Sequence, residues 1–157
     1  MTAPLLPAPG TPLTARQVQV IVGFARGHTS RQIGFRLGIS WETVDTHRRR
    51  ISAATGMPSR PAIVNHAYEH GYLAALAPEQ RPPIALKPRY LDVLKLVALG
   101  LGDAAIARRL HLSEGAVRSR ITALLRTVDV GDCAHAVAVC WQQGLLGGQP
   151  TDVREAA

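Results

Sequence analysis

The sequence contains an internal repeat, and this repeat limits the folds that the chain can adopt. Residues 13–73 align with residues 86–146 without a gap when one segment is shifted by 73 positions. Thirteen of the 61 paired positions are identical, and most are apolar residues or glycines at helical spacing. The chain is therefore predicted to contain two copies of one small helical unit. In the first copy the identical residues are Leu13, Arg16, Val20, Ala25, Gly27, Ile33, Arg36, Leu37, Ser40, Val44, Val64, Gly71 and Leu73.

A proline-rich stretch separates the two repeats and suggests a boundary between two small domains. Fully extended, this twelve-residue linker spans at most about 40 Å, and its prolines stiffen it. The predicted organisation is a disordered N-terminal segment at 1–12, a domain at 13–73, the linker at 74–85, a domain at 86–146 and a flexible tail at 147–157.

The first repeat carries the local signals of a helix-turn-helix. Capping boxes that start at Thr14 and Thr29 begin the first two helices. Residues 37–40 (Leu-Gly-Ile-Ser) then predict a tight turn, in which Gly38 takes a positive φ and the serine caps the next helix. A third helix is predicted from about Trp41 to Thr55, followed by a fourth.

The second repeat keeps the same order of elements with different residues at the helix ends. His111 replaces the turn glycine, and Asp103, Ser113 and Asp132 are candidate N-caps. Two short helices joined by a tight turn are typical of a helix-turn-helix. The sequence therefore predicts an all-α fold made of two tandem four-helix helix-turn-helix domains.

A family resemblance rests on Leu13, Thr14, Arg16, Gly27, Ile33, Leu37, Gly38, Ile39, Ser40, Thr43, Val44, Thr46, His47, Ile51, Ala67 and Gly71. This pattern resembles the helix-turn-helix of LuxR/FixJ/GerE-type bacterial transcription regulators. The second repeat matches it more loosely, and together the two cover about four-fifths of the chain. The resemblance implies two tandem four-helix domains, a recognition helix in the major groove of DNA, and a fourth helix that often mediates dimerisation.

The outward face of the third helix carries the candidate base-reading residues. At about 100° per residue, Val44, His47 and Ile51 mark the inward side of this helix. The opposite face holds Asp45, Thr46 and Arg49 in the first repeat and Arg118, Ser119 and Thr122 in the second. Arginine pairs with guanine and aspartate accepts from cytosine. Asp45 has a second interpretation, an ion pair with a neighbouring arginine on the solvated helix face.

Positive charge is concentrated in the repeats, where it can meet DNA phosphates. The chain has a net charge of +7, and residues 13–73 hold eight Lys and Arg against three Asp and Glu. The start of the second helix also attracts anions through its free amides. The main phosphate-contact candidates are Arg31, Gln32, His47, Arg48, Arg50, Arg108 and Arg120, and further candidates are Arg16, Arg60, Arg89, Arg109 and Arg126.

The fourth helix of the second repeat is apolar on nearly every side. Residues 134–141 read AHAVAVCW, and a helix that is apolar all round is buried all round. Val137, Cys140 and Trp141 are therefore predicted to face a partner. A homodimer through this helix and a contact with RNA polymerase are both open.

Two functions remain in competition at this stage, and a weaker third is a promoter-recognition piece like that of a sigma factor. The first is a sequence-specific DNA-binding transcription regulator with two recognition helices on one chain, which the arginine run at 48–50 favours. The alternative is a protein-interaction module, derived from a helix-turn-helix, that binds RNA polymerase or another regulator. Asp45 and the apolar fourth helix favour this alternative.

The sequence contains no motif for metal binding, catalysis or cofactor binding. His66 and His70 lack a third metal ligand, and Cys133 and Cys140 are predicted to be buried free thiols. Phosphate loops, dinucleotide turns and nucleophile motifs are missing, so we expect neither an enzyme nor a cofactor. The first twelve residues do not resemble a signal peptide and no apolar run is long enough for a membrane span, so we expect a cytoplasmic, nucleoid-associated protein.

Overall fold

The structure is a computed structural model that describes residues 6–147. This range contains eight helices: α1 Ala15–Ala25, α2 Ser30–Leu37, α3 Trp41–Thr55, α4 Arg60–Glu69, α5 Pro88–Ala98, α6 Asp103–Leu110, α7 Glu114–Val128 and α8 Cys133–Gln142. We call α1–α4 the first group and α5–α8 the second group. Every helix bound in the second group lies 73 residues after its counterpart in the first. The predicted all-α fold of two four-helix groups is confirmed.

The predicted N-terminal segment and tail lie partly outside the described residues. The segment predicted as disordered, 1–12, is described only from residue 6, and of the predicted tail, 147–157, only the first residue is described. Within the described part, the Gly10 amide donates to the Ala54 carbonyl at 2.7 Å. Residues 6–12 therefore contact the last turn of α3.

Side-chain caps fix most of the helix starts. Thr14 and Thr29 form complete capping boxes with Gln17 and Gln32, as predicted. In the second group Ser113 and Asp132 cap α7 and α8, also as predicted. The prediction for α6 is wrong by one residue, because Gly102 occupies the N-cap and Asp103 is the first helical residue.

Left-handed residues end the second and third helices of both groups. Gly38 and Gly56 have φ values of 70° and 74° in the first group. The equivalent residues of the second group are His111 and Asp129, with φ values of 56° and 61°. A side chain in this conformation costs roughly 1–2 kcal/mol, less for residues such as aspartate and histidine that tolerate it. The second group therefore makes the same turns with more backbone strain.

The hydrophobic core continues from one group into the other. A single cluster of buried side chains includes Phe24 and Ile63 of the first group and Leu94, Leu124 and Val137 of the second. A smaller cluster fills the space between α5, α6 and α7. Because most of the core is shared, each group depends on the other to cover its apolar surface.

The shared core lies mainly between α4 and α8, which pack against each other. Tyr68 and Trp141 stack at the centre with ring centroids 5.5 Å apart and planes 6° from parallel. The Trp141 indole donates to the Asn65 side-chain oxygen at 2.8 Å, and the Gln142 amide donates to the Tyr68 hydroxyl at 2.9 Å. Tyr68 and Trp141 are equivalent positions of the two repeats. At the centre of the interface, therefore, a residue of the first repeat contacts the equivalent residue of the second.

Flanking contacts follow the same symmetry. A Cβ at Gly27 would lie 2.7 Å from Nδ1 of His135, and a Cβ at Gly100 would lie 2.8 Å from Pro58 and 3.6 Å from Ala62. Gly100 is the counterpart of Gly27, and His135 is the counterpart of Ala62. The contacts are therefore reciprocal, as in an interface with two-fold symmetry. The two groups pack in the manner of a symmetric dimer within one chain.

The segment between the groups is held against α8 and the end of α7. The Glu79 carboxylate lies 2.8 Å from His135 Nε2 and within 4 Å of Arg26 and Arg81. The Arg81 guanidinium also donates to the Val128 carbonyl at 2.7 Å. The Ile84 amide donates to the side-chain oxygen of Gln143, the C-cap residue of α8, at 2.7 Å. These contacts fix the path of the segment along the protein surface.

The structure changes the interpretation of the apolar face of α8. Val137 and Cys140 are fully buried inside the chain, and Trp141 packs on Tyr68 and Asn65. The sequence pattern predicts that these three residues face a partner protein. The covering surface is α4 of the same chain, which the sequence pattern did not distinguish from an external partner.

Candidate nucleic-acid interface

The helix-turn-helix of the first group is formed by α2, its left-handed turn and α3. A Cβ at Gly34 would lie 2.6 Å from the Ile39 carbonyl oxygen, so this glycine lets the turn approach α2 closely. The Ile39 amide in turn donates to the Gly34 carbonyl at 2.9 Å. Val44 and Ile51 of α3 are fully buried, so the opposite face of α3 is turned outward.

The base-reading candidates of the first group lie on this outward side, and each makes a hydrogen bond within α3. Asp45 accepts a hydrogen bond from the Arg48 Nε at 3.1 Å. The Thr46 hydroxyl donates to the Glu42 carbonyl at 3.0 Å, and the exposed Arg49 lies 3.4 Å from the same hydroxyl. Of the two interpretations of Asp45, the ion pair is present in this structure. Base reading by these three residues stays a prediction.

The equivalent candidates on α7 are exposed to solvent. Arg118, Ser119 and Thr122 are all exposed, while Val117 and Leu124 of the same helix are buried. The Thr122 hydroxyl donates to the Arg118 carbonyl at 3.1 Å, which leaves its oxygen free to accept. The outward face of α7 therefore offers different hydrogen-bonding groups from that of α3.

The N-terminus of α2 presents two of the phosphate candidates. Arg31 and Gln32 are exposed in the first turn of the helix. The Gln32 side-chain oxygen is used by the capping box with Thr29, which leaves its amide N–H groups to donate elsewhere. An exposed helix N-terminus and an arginine together are suited to bind an anion.

His47 differs from the other phosphate candidates because its ring is partly buried. Its Nδ1 is buried and has no hydrogen-bond partner among the described residues. Burial, and then the positive charges of Arg50 and Arg16, lower the pKa of His47 below its ordinary value of 6.5. His47 is therefore neutral at pH 7 and adds no positive charge to the interface.

Arg60, one of the further phosphate candidates, has a structural position. Its guanidinium lies 4.5 Å from the centroid of the Phe24 ring and donates to the Ser30 hydroxyl at 2.7 Å. A weaker hydrogen bond joins it to the His28 carbonyl at 3.4 Å. Arg60 therefore ties the start of α4 to the start of α2.

The second group has a basic hollow between the start of α5 and the face of α7. Its lining includes Arg89, Tyr90, Ser119 and Arg120, and the Arg89 guanidinium lies 3.2 Å from the Tyr90 hydroxyl. That hydrogen bond is the main cause of a lowered pKa for Tyr90. We did not select Tyr90 from the sequence, because a single tyrosine in a helix carries no signal of its neighbours. Arg108 is exposed on α6, away from these residues in sequence.

Trp41 is a further residue that the sequence interpretation did not assign to the interface. It is the first residue of α3, directly before the candidate base-reading turn, and 46% of its surface is exposed. The signal available from the sequence was a large aromatic residue at the start of a polar helix.

The described residues contain no cluster that suits a metal ion and no helix long and apolar enough to cross a membrane. The rings of His66 and His70 stack at 4.0 Å. Burial raises the pKa of both Cys133 and Cys140 to about 11, so both thiols are protonated at pH 7.

These elements define a helix-turn-helix protein, and a family can be given for part of it. Residues 11–67 match the GerE family, described as bacterial regulatory proteins of the luxR family. This segment forms one LuxR-family helix-turn-helix domain. The family match does not extend to the second group, whose likeness to the first rests on its helix pattern.

Two curated relatives each match about two fifths of the chain. It is 35% identical over 68 residues to the transcriptional regulatory protein YdfI of Bacillus subtilis, which is 43% of this chain and 32% of the relative. It is 27% identical over 63 residues to the transcriptional regulatory protein MctR of Rhizobium johnstonii, which is 40% of this chain and 29% of the relative. The match thus spans about a third of these relatives. No solved structure matches the chain.

Proposed function

We propose that this protein is a sequence-specific DNA-binding transcription regulator that places two recognition helices of one chain, α3 and α7, on one duplex. In this proposal residues 13–73 and 86–146 are two LuxR-like domains joined by the linker at 74–85. The observation that carries the proposal is the reciprocal packing of the two groups through α4 and α8. A symmetric pair of helix-turn-helix units is the arrangement with which such proteins bind two half-sites.

The packing also predicts the arrangement of the DNA site. Two units related by a two-fold axis read two half-sites in inverted orientation. The outward residues of α3 and α7 differ, so the half-sites are expected to differ in sequence. Asp45, Thr46 and Arg49 would read one half, and Arg118, Ser119 and Thr122 the other, with the phosphate candidates holding the backbone.

Both features that favour a protein-interaction module have explanations within the chain. Asp45 pairs with Arg48, and the apolar face of α8 is covered by α4. Neither feature therefore requires an external protein. The basic face of α3, together with Arg31, keeps its suitability for phosphate.

The test is selection of bound duplexes from a random pool by the full chain, followed by fluorescence anisotropy on the selected site. We expect one chain per duplex, an inverted and imperfect repeat, and a steep loss of affinity as salt rises. A scrambled duplex of the same length is the control. A consensus with two directly repeated halves, or two chains on one site, would contradict the proposed geometry. Failure to enrich any sequence would contradict DNA recognition itself.

A further inference from the structure

The face formed by α1 and α2 carries a groove with an apolar floor. The groove has a volume of about 310 Å³, and its floor includes Val22, Gly23, Ile33 and Leu37. Gly23 lets the Ile33 side chain pack directly on α1, because a Cβ there would lie 2.4 Å from that side chain. A glycine inside a helix costs about 1 kcal/mol relative to alanine. The equivalent residue of α5 is Leu96, whose side chain is buried.

The rim of the groove is positively charged. Arg26, His28 and Arg36 line its edge, and a neighbouring hollow shares the last two of these residues. Arg36 is exposed, whereas Arg26 lies 3.9 Å from the Glu79 carboxylate. Burial, and then the charge of Arg36, lower the pKa of His28, so the positive charge of the rim comes mainly from Arg36. Neither α1 nor α2 contains an aspartate or a glutamate. By contrast, α5 contains Asp92 and α6 begins with Asp103. An anionic partner would therefore meet no repulsive carboxylate on these two helices of the first group.

A protruding aromatic side chain stands beside the groove. Phe35 of α2 has 91% of its surface exposed and lines the neighbouring hollow together with His28 and Arg36. The equivalent residue of the second group is Arg108. Exposing a phenylalanine on a helix has no benefit for folding, since the favourable free energy of an aromatic side chain comes from its burial.

We propose that this α1–α2 groove docks an acidic amphipathic helix of another protein. Apolar side chains spaced three and four residues apart would enter the groove and cover Phe35, and acidic side chains on their flanks would meet Arg36. A second copy of this chain fits poorly because its own α1–α2 face is equally basic. A small ligand in the groove would leave Phe35 exposed. The inference goes beyond the proposed function. The base-reading candidates are on α3 and α7, but the phosphate candidates Arg31 and Gln32 line the same hollow as Phe35, so the helix and DNA would compete at the start of α2.

The test uses three synthetic helical peptides and the isotope-labelled full chain without DNA. The first peptide has a leucine face and a glutamate face, the second has lysine in place of glutamate, and the third has serine in place of leucine. We expect the first peptide to shift the amide resonances of α1 and α2. The other two are expected to bind at least about tenfold more weakly, because each removes one half of the recognition.

Two variants replace a residue of the groove by the equivalent residue of the second group. Phe35→Arg copies Arg108 and Val22→Lys copies Lys95, and each is expected to weaken binding of the acidic peptide about tenfold. The matched control is Leu99→Arg, which makes the same kind of replacement at a side chain that is 61% exposed outside the groove. This control is expected to leave peptide affinity unchanged.

Three results would overturn the proposal. The first is equal binding of the glutamate and lysine peptides, or resonance shifts that fall on α3 or α7. The second is binding of sodium decanoate in the groove without binding of the acidic peptide, which would assign the groove to a small apolar anion. The third is sedimentation that shows self-association of the chain through α1 and α2, which would assign it to a second copy.

Discussion

The N-termini of α2 and α6 occupy equivalent places in the two groups and are built differently. The α2 start has a complete capping box and an exposed Arg31. The α6 start has Gly102 without a side-chain cap, then Asp103 and two alanines. A carboxylate in the first turn favours the helix itself but repels phosphate. The same backbone element is therefore suited to bind an anion in one group and only to begin a helix in the other.

The third helices of the two groups, α3 and α7, also differ in positive charge, and α3 again carries more. Residues 48–50 of α3 are three arginines, and the equivalent residues of α7 are Ile121, Thr122 and Ala123. The match to the luxR family covers the first group alone. A shared fold can thus support two units with unequal affinity for DNA, in which the first group supplies most of the electrostatic attraction and the second adds selectivity.

The largest expected effect comes from breaking the contact between the groups. Trp141→Ala removes the stack on Tyr68 and leaves the Asn65 oxygen without its indole donor, and we expect a loss of about 3 kcal/mol in the free energy of unfolding. The control is Trp41→Ala, at the other tryptophan, with an expected change within about 0.5 kcal/mol. Urea unfolding followed by circular dichroism measures both. Equal effects of the two substitutions would contradict the interface.

The unequal roles of the groups in DNA binding can be tested at one arginine from the base-reading candidates of each group. Arg49→Ala is expected to weaken binding to the selected duplex about tenfold or more, because it removes a base contact next to other cations. Arg118→Ala on α7 is expected to weaken it less and to relax specificity in one half-site only. Anisotropy titrations at several salt concentrations measure both variants. A larger loss for Arg118→Ala would reverse the comparison.

Backbone strain in the second group predicts a stabilising substitution. His111→Gly is expected to raise the free energy of unfolding by about 0.5–1 kcal/mol, because glycine adopts the left-handed conformation without steric cost. The reverse change, Gly38→His, is expected to lower it by a similar amount. Paired thermal melts of the two variants measure this exchange. Destabilisation by His111→Gly would show that the imidazole has a role outside the turn.

The smallest effect is a dependence of stability on pH that arises in the first group. Burial is the main cause of the lowered pKa of His28, His47 and His66. The unfolded chain therefore binds more protons than the folded chain as the pH falls through 6.5. The free energy of unfolding decreases below that pH, and the three histidines do not lower it above that pH. Melting temperatures at pH 7.5, 6.5 and 5.5 should fall in that order, and His47→Asn should reduce the slope. A flat profile would contradict the burial of these rings.

The helix bounds were predictable from the sequence because helix caps are contacts between residues that are close in the sequence. The threonines of the two capping boxes and the glycine after α2 specify where a helix begins or ends through contacts a few residues apart. The alignment of the two repeats then predicted the same helix bounds in the second group. The proposed outward face of α3 followed from the positions of Val44 and Ile51, both of which are fully buried.

Contacts between distant residues were not predictable in the same way. The hydrogen bond of Trp141 joins residues 76 positions apart, and an apolar stripe does not state which surface covers it. Arg60 shows the same difficulty, because its stacking on Phe24 depends on how α4 crosses α1. The groove at Gly23 was also absent from the sequence interpretation, since a helical glycine alone does not reveal the side chain that would collide with it.

Joining both halves of the symmetric arrangement in one polypeptide has a consequence for dosage. Regulators that assemble from separate subunits occupy their sites in proportion to the square of their amount when they are scarce, because two molecules must first meet. A regulator that acts as proposed here needs no such encounter, and its occupancy rises in simple proportion to copy number. A few molecules per cell would then give a graded response where an assembling regulator would give almost none.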